Sequence, residues 1–239
     1  MKAPRARLVL VHGTRVSGVQ WAAHRRWLEP EFEVVTPDLP RHGQSVDIPF
    51  TMGAAVEIVA RAVESAPDGI PVVLAGHSLG GYVAMTYASQ HSDRLAGLVL
   101  MGSTAVPSGP GAAVYRALGW ATETAGPERM TRFNDRILSR ISPPEVAGPI
   151  LREGYYFTDI PTMWAEVMAG GRPDLLDTVT CPVLIVHGTL DQVAVNTRQY
   201  AAHARDCRVR TIRGGSHLMP LTHPWKTSAI IAEFAREVT

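Results

Sequence analysis

Residues 72–84 read VVLAGHSLGGYVA: an apolar run, one serine ringed by Gly76, Gly80 and Gly81, then a helix-like segment. Glycine loses more backbone freedom on folding than any other residue, so three of them around Ser78 mark a turn that side chains would obstruct. VVLA reads as a buried strand ending at Gly76, and LGGYVAMTYASQ as the helix behind it. G-x-S-x-G between a strand and a helix is the nucleophile elbow, whose serine adopts a strained backbone and whose flanking positions have no room for side chains. A glycine-rich turn with an incidental serine is the blander reading; the strand-turn-helix setting favours the elbow. Ser78 then stands at a helix N-terminus, where free N–H groups and the helix dipole favour developing negative charge.

Outward from this turn, short β-branched and leucine-rich runs recur at 7–11 (RLVLV), 33–36 (EVVT), 98–101 (LVLM), 183–186 (VLIV) and 208–212 (RVRTI). They are continuous rather than alternating, the pattern of strands buried on both faces of a parallel sheet. Helical patterns lie between most of them. Residues 52–66 place Met52, Val56, Val59 and Val63 on one face behind Thr51 as N-cap. Residues 222–238 repeat the pattern with Trp225, Ile230, Ile231, Phe234 and Val238. Strands alternating with helices imply right-handed βαβ units in a doubly wound, mostly parallel α/β sheet. Between 107 and 173 the rhythm breaks: no strand signal appears, and PSGPG, ISPPE and GGRPD cut the stretch into short helical pieces. The stretch is too long and too apolar for a plain loop. It is expected to form a helical cap (107–173) over a core made of 1–106 and 174–239.

Composition narrows the function classes. A chain of 239 residues, 46% hydrophobic and 19% charged, fits one large globular domain of an enzyme. The net charge of +1, from 23 basic and 22 acidic side chains, supplies no basic field for nucleic acid or an anionic membrane, and neither partner is expected. The scattered arginines, Arg129 and Arg132 among them, read as solvated faces. Cys181 and Cys207 form no CxxC pair and read as two reduced, partly buried thiols. The apolar stretch at 8–11 is too short for an export segment of ~7–15 residues, and no run approaches the ~20 apolar residues of a membrane span. The expectation is a cytoplasmic protein, monomeric or homodimeric, acting on a small molecule without metal or cofactor.

A serine oxygen is a poor nucleophile unaided and needs a base held by a carboxylate. In an elbow architecture these follow the serine in the order acid, then histidine. VLIVHGTLDQV supplies Asp191 just past the strand at 183–186, whereas MGSTAVPSG, after the strand at 98–101, contains no carboxylate. Asp174, Asp177 and Asp206 lie before strands or on helical surfaces and read as solvated. Among the histidines beyond Asp191, His217 follows the strand at 208–212 and a flexible Gly214-Gly215 turn, which makes it the base. His223, beside Pro224, is the second choice, and His203 reads as an exposed helical residue. His12, His42 and His187 read as turn hydrogen-bonders; so does His77, expected to point away from the serine. Two oxyanion donors are required. They are expected to be the backbone N–H groups of Leu79, next to the nucleophile, and Thr14, in the loop after the first strand.

VLVHG, PDLPRHGQS, AGHSLGG, VHGTLD and GGSH together resemble the landmarks of the α/β-hydrolase superfamily, in order and spacing, over nearly the whole chain. The resemblance implies a hydrolase fold, here expected to lack the superfamily's opening antiparallel hairpin because only six residues precede Arg7. The short start, with Gly18 and Trp21 after His12-Gly13, is similar to the compact branch of methylesterases and hydroxynitrile lyases. Those lyases carry a lysine after the catalytic histidine; Leu218 stands there, which favours hydrolysis. Epoxide hydrolases and haloalkane dehalogenases of this fold use an aspartate nucleophile, so Ser78 argues against both. Trp120, Tyr155, Trp164 and Leu218 are expected to meet substrate, and the apolar character of the cap suits an apolar acyl or alcohol group. The reading is a serine hydrolase of the carboxylic-ester kind acting on a small ester, lactone or thioester. A triad-retaining ligand sensor is the alternative from another class; C–C bond hydrolysis and acyl transfer run on the same triad.

Overall fold

The computed structural model describes residues 3–106 and 126–239. Every strand pairing among them is parallel. Arg7–Val11 (β1), Glu33–Val35 (β2), Val72–His77 (β3), Gly97–Met101 (β4), Val183–Leu190 (β5) and Cys207–Ser216 (β6) form one sheet in the order β2-β1-β3-β4-β5-β6. Side chains along a strand alternate faces, and here both faces are apolar. Val9, Val11, Leu74, Leu98, Leu100, Val183 and Ile185 join one buried cluster, while Leu8, Leu10, Val73, Ala75, Val99, Leu184 and Val186 join another on the opposite side. That two-sided burial is why β1, β3, β4 and β5 read as unbroken apolar runs. RVRTI, expected to be buried likewise, is not: β6 is the edge strand and exposes Arg208, Val209, Arg210 and Thr211, with Ile212 alone of the five buried.

Helices cover both faces. Arg25–Leu28 (α1) contributes Leu28 to the second cluster, while Met52–Glu64 (α2) and Leu79–His91 (α3) fill the first. Thr51 caps α2, its Oγ1 accepting the Ala54 N–H at 3.0 Å. The buried stripe of α2 is Ala55, Ile58, Val59, Ala62 and Val63, with Met52 and Val56 at its margin. The chain between β4 and β5 holds Pro127–Ile141 (α4), Pro144–Glu153 (α5) and Ile160–Gly170 (α6). Thr197–His203 (α7) sends Tyr200 into the first cluster. Met219–Thr222 (α8) and Pro224–Val238 (α9) complete the second with Met219, Ile231 and Phe234. Trp225, expected on the buried face of this last helix, is instead 63% exposed. At 100° per residue it lies half a turn around α9 from Phe234, so only one of the two can face the sheet.

The ends of β5 and β6 run beyond the apolar runs that announced them. HGTL and RGGS pair across the two strands as far as Leu190 opposite Ser216, with a register irregularity between Gly188 and Leu190. Polar and glycine residues are held extended there by cross-strand hydrogen bonding rather than by burial. These two tails deliver Asp191 and His217.

Of the helices between β4 and β5, α4 and α5 make a third, smaller apolar cluster of Leu138, Val146, Ala147 and Ile150 with Val16 and Leu221, whereas α6 sends Met163 and Val167 into the first. Polar ties add to these. Arg41 Nε donates to Asp159 Oδ2 at 2.5 Å, the Met52 N–H to Glu166 Oε2 at 3.0 Å, and the Tyr156 N–H to the Arg15 carbonyl at 2.9 Å. Cys181 is buried and Cys207 half-buried, both as free thiols, and burial pushes each up to about 11. Among the described residues no helix is long and apolar enough to cross a membrane.

Candidate active site

Ser78 sits between β3 and α3 with φ 53° and ψ −119°. A non-glycine residue at positive φ stores roughly 1–3 kcal/mol of strain, and the surroundings enforce it here. The Ser78 N–H is taken by the Met101 carbonyl at 2.8 Å, and its own carbonyl accepts the N–H of Gly81 at 2.9 Å. The flanking glycines are required: a Cβ on Gly76 would stand 2.2 Å from the Gly80 carbonyl oxygen, and one on Gly80 2.5 Å from that of His12. The strand and the helix pass too close for even a methyl group.

His217 and Asp191 arrive from the tails of β6 and β5. His217 Nε2 lies 3.0 Å from Ser78 Oγ, and its Nδ1 3.3 Å from Asp191 Oδ1. With the carboxylate accepting from Nδ1–H, Nε2 carries the lone pair that faces Ser78 Oγ. Asp191 has a fully buried side chain, and Oδ1 also accepts the Val193 N–H at 2.9 Å. Burial pushes its carboxyl pKa up, but the hydrogen bond and charge of His217 and the Val193 N–H outweigh that, so it stays ionised below the usual range. Gly102 closes the floor of this group at φ 58°. A Cβ there would come within 2.8 Å of His217 Nδ1 and 3.2 Å of Asp191 Oδ2. The sequence reading passed over Gly102 because nothing in MGSTAV marks it.

The alternatives lie elsewhere. His223 bonds the Thr222 hydroxyl at 2.8 Å, and Asp177 pairs with a half-buried His203 at 2.9 Å. His12 accepts the Leu39 N–H at 3.0 Å, while His42 and His187 bond the Pro40 and Gly188 carbonyls at 2.9 and 3.2 Å. His77 differs from expectation. It does not point away from the site; its ring centroid lies 5.1 Å from that of His217, and it lines the same cavity. Its contact with the other side of the site holds it inward, with its Nε2 2.9 Å from the His217 carbonyl.

A cavity of about 360 Å³ opens over Ser78. Thr14, Gln20, His77 and His217 form its polar end, and Phe133, Ile137, Leu138 and Ile141 of α4 give it an apolar wall. Of the residues expected to meet substrate, Tyr155, Trp164 and Leu218 line this cavity, and Trp120 lies outside the described residues. Gln20 was not singled out from sequence, yet it is buried and its Oε1 accepts the Gly13 N–H at 3.1 Å. The Leu79 N–H is the first of α3 and has no preceding turn of that helix to bond. Arg132 is exposed and only 4.0 Å from Glu128, a solvated contact. No group of three His, Cys, Asp or Glu side chains among the described residues is placed to hold a metal ion.

A parallel α/β sheet with a serine elbow and an acid and a histidine at the ends of later strands defines the class. The chain belongs to the alpha/beta hydrolase family, whose model matches residues 8–229, and it is a hydrolase. Its relatives point the same way. It is 26% identical over 254 residues to a pimeloyl-acyl-carrier-protein methyl ester esterase of Nitrosospira multiformis, covering 96% of this chain and 94% of that one. It is 40% identical to the lipase LipV of Mycobacterium tuberculosis over 97 residues, which is 40% of this chain and only 36% of LipV. Among solved structures it resembles a thermophilic esterase from Thermogutta terrifontis, with TM-score 0.76, 28% identity, and coverage of 99% of this chain and 92% of that one.

Proposed function

We propose that this protein is a serine esterase that cleaves a small apolar carboxylic ester, lactone or thioester through an acyl-enzyme. The observation that carries the proposal is the alignment of Ser78 Oγ, His217 and Asp191 at 3.0 and 3.3 Å beneath a largely apolar cavity. In this reading Ser78 Oγ attacks the ester carbonyl carbon while its proton passes to His217 Nε2. Asp191 holds the imidazole and stabilises the charge it gains. The carbonyl oxygen becomes an oxyanion held by the N–H groups of Leu79 and Thr14; Gln20 already occupies the neighbouring N–H of Gly13, so Thr14 is the free donor of that loop. Collapse expels the alcohol, which takes the proton from His217. A water then gives its proton to His217 and attacks the acyl carbon, releasing the acid and Ser78.

Within the segment 107–173, read as a cap, the helices α4–α6 set which acyl or alcohol group fits; 107–125 lie outside the described residues. The α4 side chains Phe133, Ile137 and Leu138 form the apolar wall against which that group packs. Each methylene accommodated or refused there changes discrimination by roughly 1–3 kcal/mol. The named activity of the esterase relatives supports an ester over a C–C bond. A fluorophosphonate probe with peptide mapping, followed by a panel of p-nitrophenyl and thioester acyl lengths, tests this reading. Labelling of Ser78 with many turnovers per enzyme is expected. Labelling elsewhere, or one slow turnover with retained product, overturns it.

A further inference from the structure

His77 is the residue between Gly76 and the nucleophile, and three contacts give it a part in the site that the reaction scheme leaves unused. Its Nε2 lies 2.9 Å from the backbone carbonyl of His217, and a carbonyl only accepts, so Nε2 bears the proton. Its Nδ1 lies 3.3 Å from Gln20 Oε1, which already accepts the Gly13 N–H at 3.1 Å. Its ring is buried and tilted 36° against that of His217, with centroids 5.1 Å apart. Burial, with the neighbouring His217 next in weight, pushes its pKa down to about 3, so it remains neutral and has a single N–H to give. That N–H is committed to the His217 carbonyl.

Resting on the serine-hydrolase reading above, we propose that His77 is a positioning residue that ties the backbone of the base to the backbone of the nucleophile. The geometry explains why such a tie is useful. Ser78 is fixed by β3 and α3, whereas His217 stands between a strand end that contains Gly214 and Gly215 and the one-turn helix α8, whose buried Met219 lies two residues on. Beyond Ser216 the sheet ladder gives His217 no further support. The hydrogen bond from His77 supplies it, one residue away from the serine whose proton His217 must take. Gln20 Oε1, fixed by the Gly13 N–H, faces Nδ1 as a second acceptor; a neutral ring has one proton for the two, and the shorter contact, 2.9 Å to the His217 carbonyl, takes it. Substitution of His77 therefore misplaces His217 relative to Ser78; because the ring also lines the polar end of the cavity, a test variant must keep its bulk.

Two measurements test this. Nitrogen-15 NMR of the whole protein should find His77 neutral in the Nε2–H tautomer from about pH 5 to 8; an Nδ1–H tautomer overturns the proposal without any variant being made. Kinetically, His77→Phe should lower kcat, and with it the rate of fluorophosphonate labelling at Ser78, by roughly 10–100-fold, since displacements on the order of 1 Å cost that much. KM should stay within about threefold, and His77→Gln, which can offer an N–H to the same carbonyl, should recover most of the loss. A His77→Phe protein that labels as fast as wild type, or no recovery in a folded His77→Gln, overturns the positioning role and leaves the hydrolase reading intact. Wild type that fails to label at Ser78 overturns the hydrolase reading and this proposal with it.

Discussion

The sheet and the helices between β4 and β5 are built by different means, and the difference assigns them different work. The sheet is sandwiched between two large apolar clusters, and its strand ends hold Ser78, Asp191 and His217 within hydrogen-bond reach. Of the inserted helices, α6 sends Met163 and Val167 into the first cluster, while α4 and α5 share one small cluster with the core; polar contacts such as Arg41–Asp159 and Met52–Glu166 add to these. The inserted helices also leave apolar side chains in water, Phe133 at 56% and Ile141 at 40% exposure. Chemistry that tolerates little misplacement belongs on the first kind of scaffold. A wall that must fit and release an acyl group can belong to the second, where local opening costs less.

This contrast is broken most severely at the triad. Ser78→Ala or His217→Ala should reduce turnover by about 10⁶, and Asp191→Asn by about 10⁴, while thermal midpoints stay near wild type. Ester hydrolysis assays with thermal melts check this, and near-normal rates in Asp191→Asn would transfer the orienting role to another carboxylate. Next in size is the backbone of the elbow. Gly80→Ala forces a methyl carbon 2.5 Å from the His12 carbonyl oxygen and should cost more than ~4 kcal/mol or prevent folding. Gly148→Ala in α5 meets only the tip of Arg152 at 3.3 Å and should instead stabilise by roughly 0.5–1 kcal/mol. Urea unfolding of the pair measures how differently the two regions are packed.

Acid should act on the frame before the insertion. His12, His24, His42 and His77 are buried, and burial is the main reason their pKa values fall, to about 4 for His24 and His42 and about 3 for His77. An unfolded chain binds those protons near 6.5, so folding stability is fully present above that pH. It is lost as pH falls from about 6.5 through 4 to 3, by on the order of 1–3 kcal/mol for each histidine that must charge. Denaturant midpoints that stay level between pH 7 and pH 4 would contradict this. The smallest effect is expected on the insertion. Phe133→Ala should leave stability within ~0.5 kcal/mol of wild type and shift acyl-length preference by about tenfold, read from kcat/KM across the ester panel.

Sequence made the frame legible where burial dictated composition. RLVLV, VVLA and VLIV could be nothing but strands covered on both faces, and GHSLGG carried its own turn chemistry. Asp191 was legible as a residue because it follows such a strand; His217 follows the mostly exposed edge strand RVRTI and was legible from its place after Gly214-Gly215. What brings them together was not, since HGTL and RGGS contain no apolar signal and are held by pairing with each other. The inward turn of His77, the hold of Gln20 on Gly13, and Gly102 beneath the imidazole depend on contacts far apart in the chain. Trp225 misled for a related reason. A helix end shows its period weakly, and an aromatic there was placed on the wrong face.

The central claim is that Ser78 carries the acyl group during turnover. Rapid acid quench of wild type with a p-nitrophenyl ester, followed by intact mass and peptide mapping, tests it directly. The account predicts an added acyl mass on the peptide bearing GHSLGG, formed within the burst of p-nitrophenol, lost on further incubation, and absent from Ser78→Ala. Steady turnover with no acyl adduct at any time, or an adduct on another residue, would contradict it.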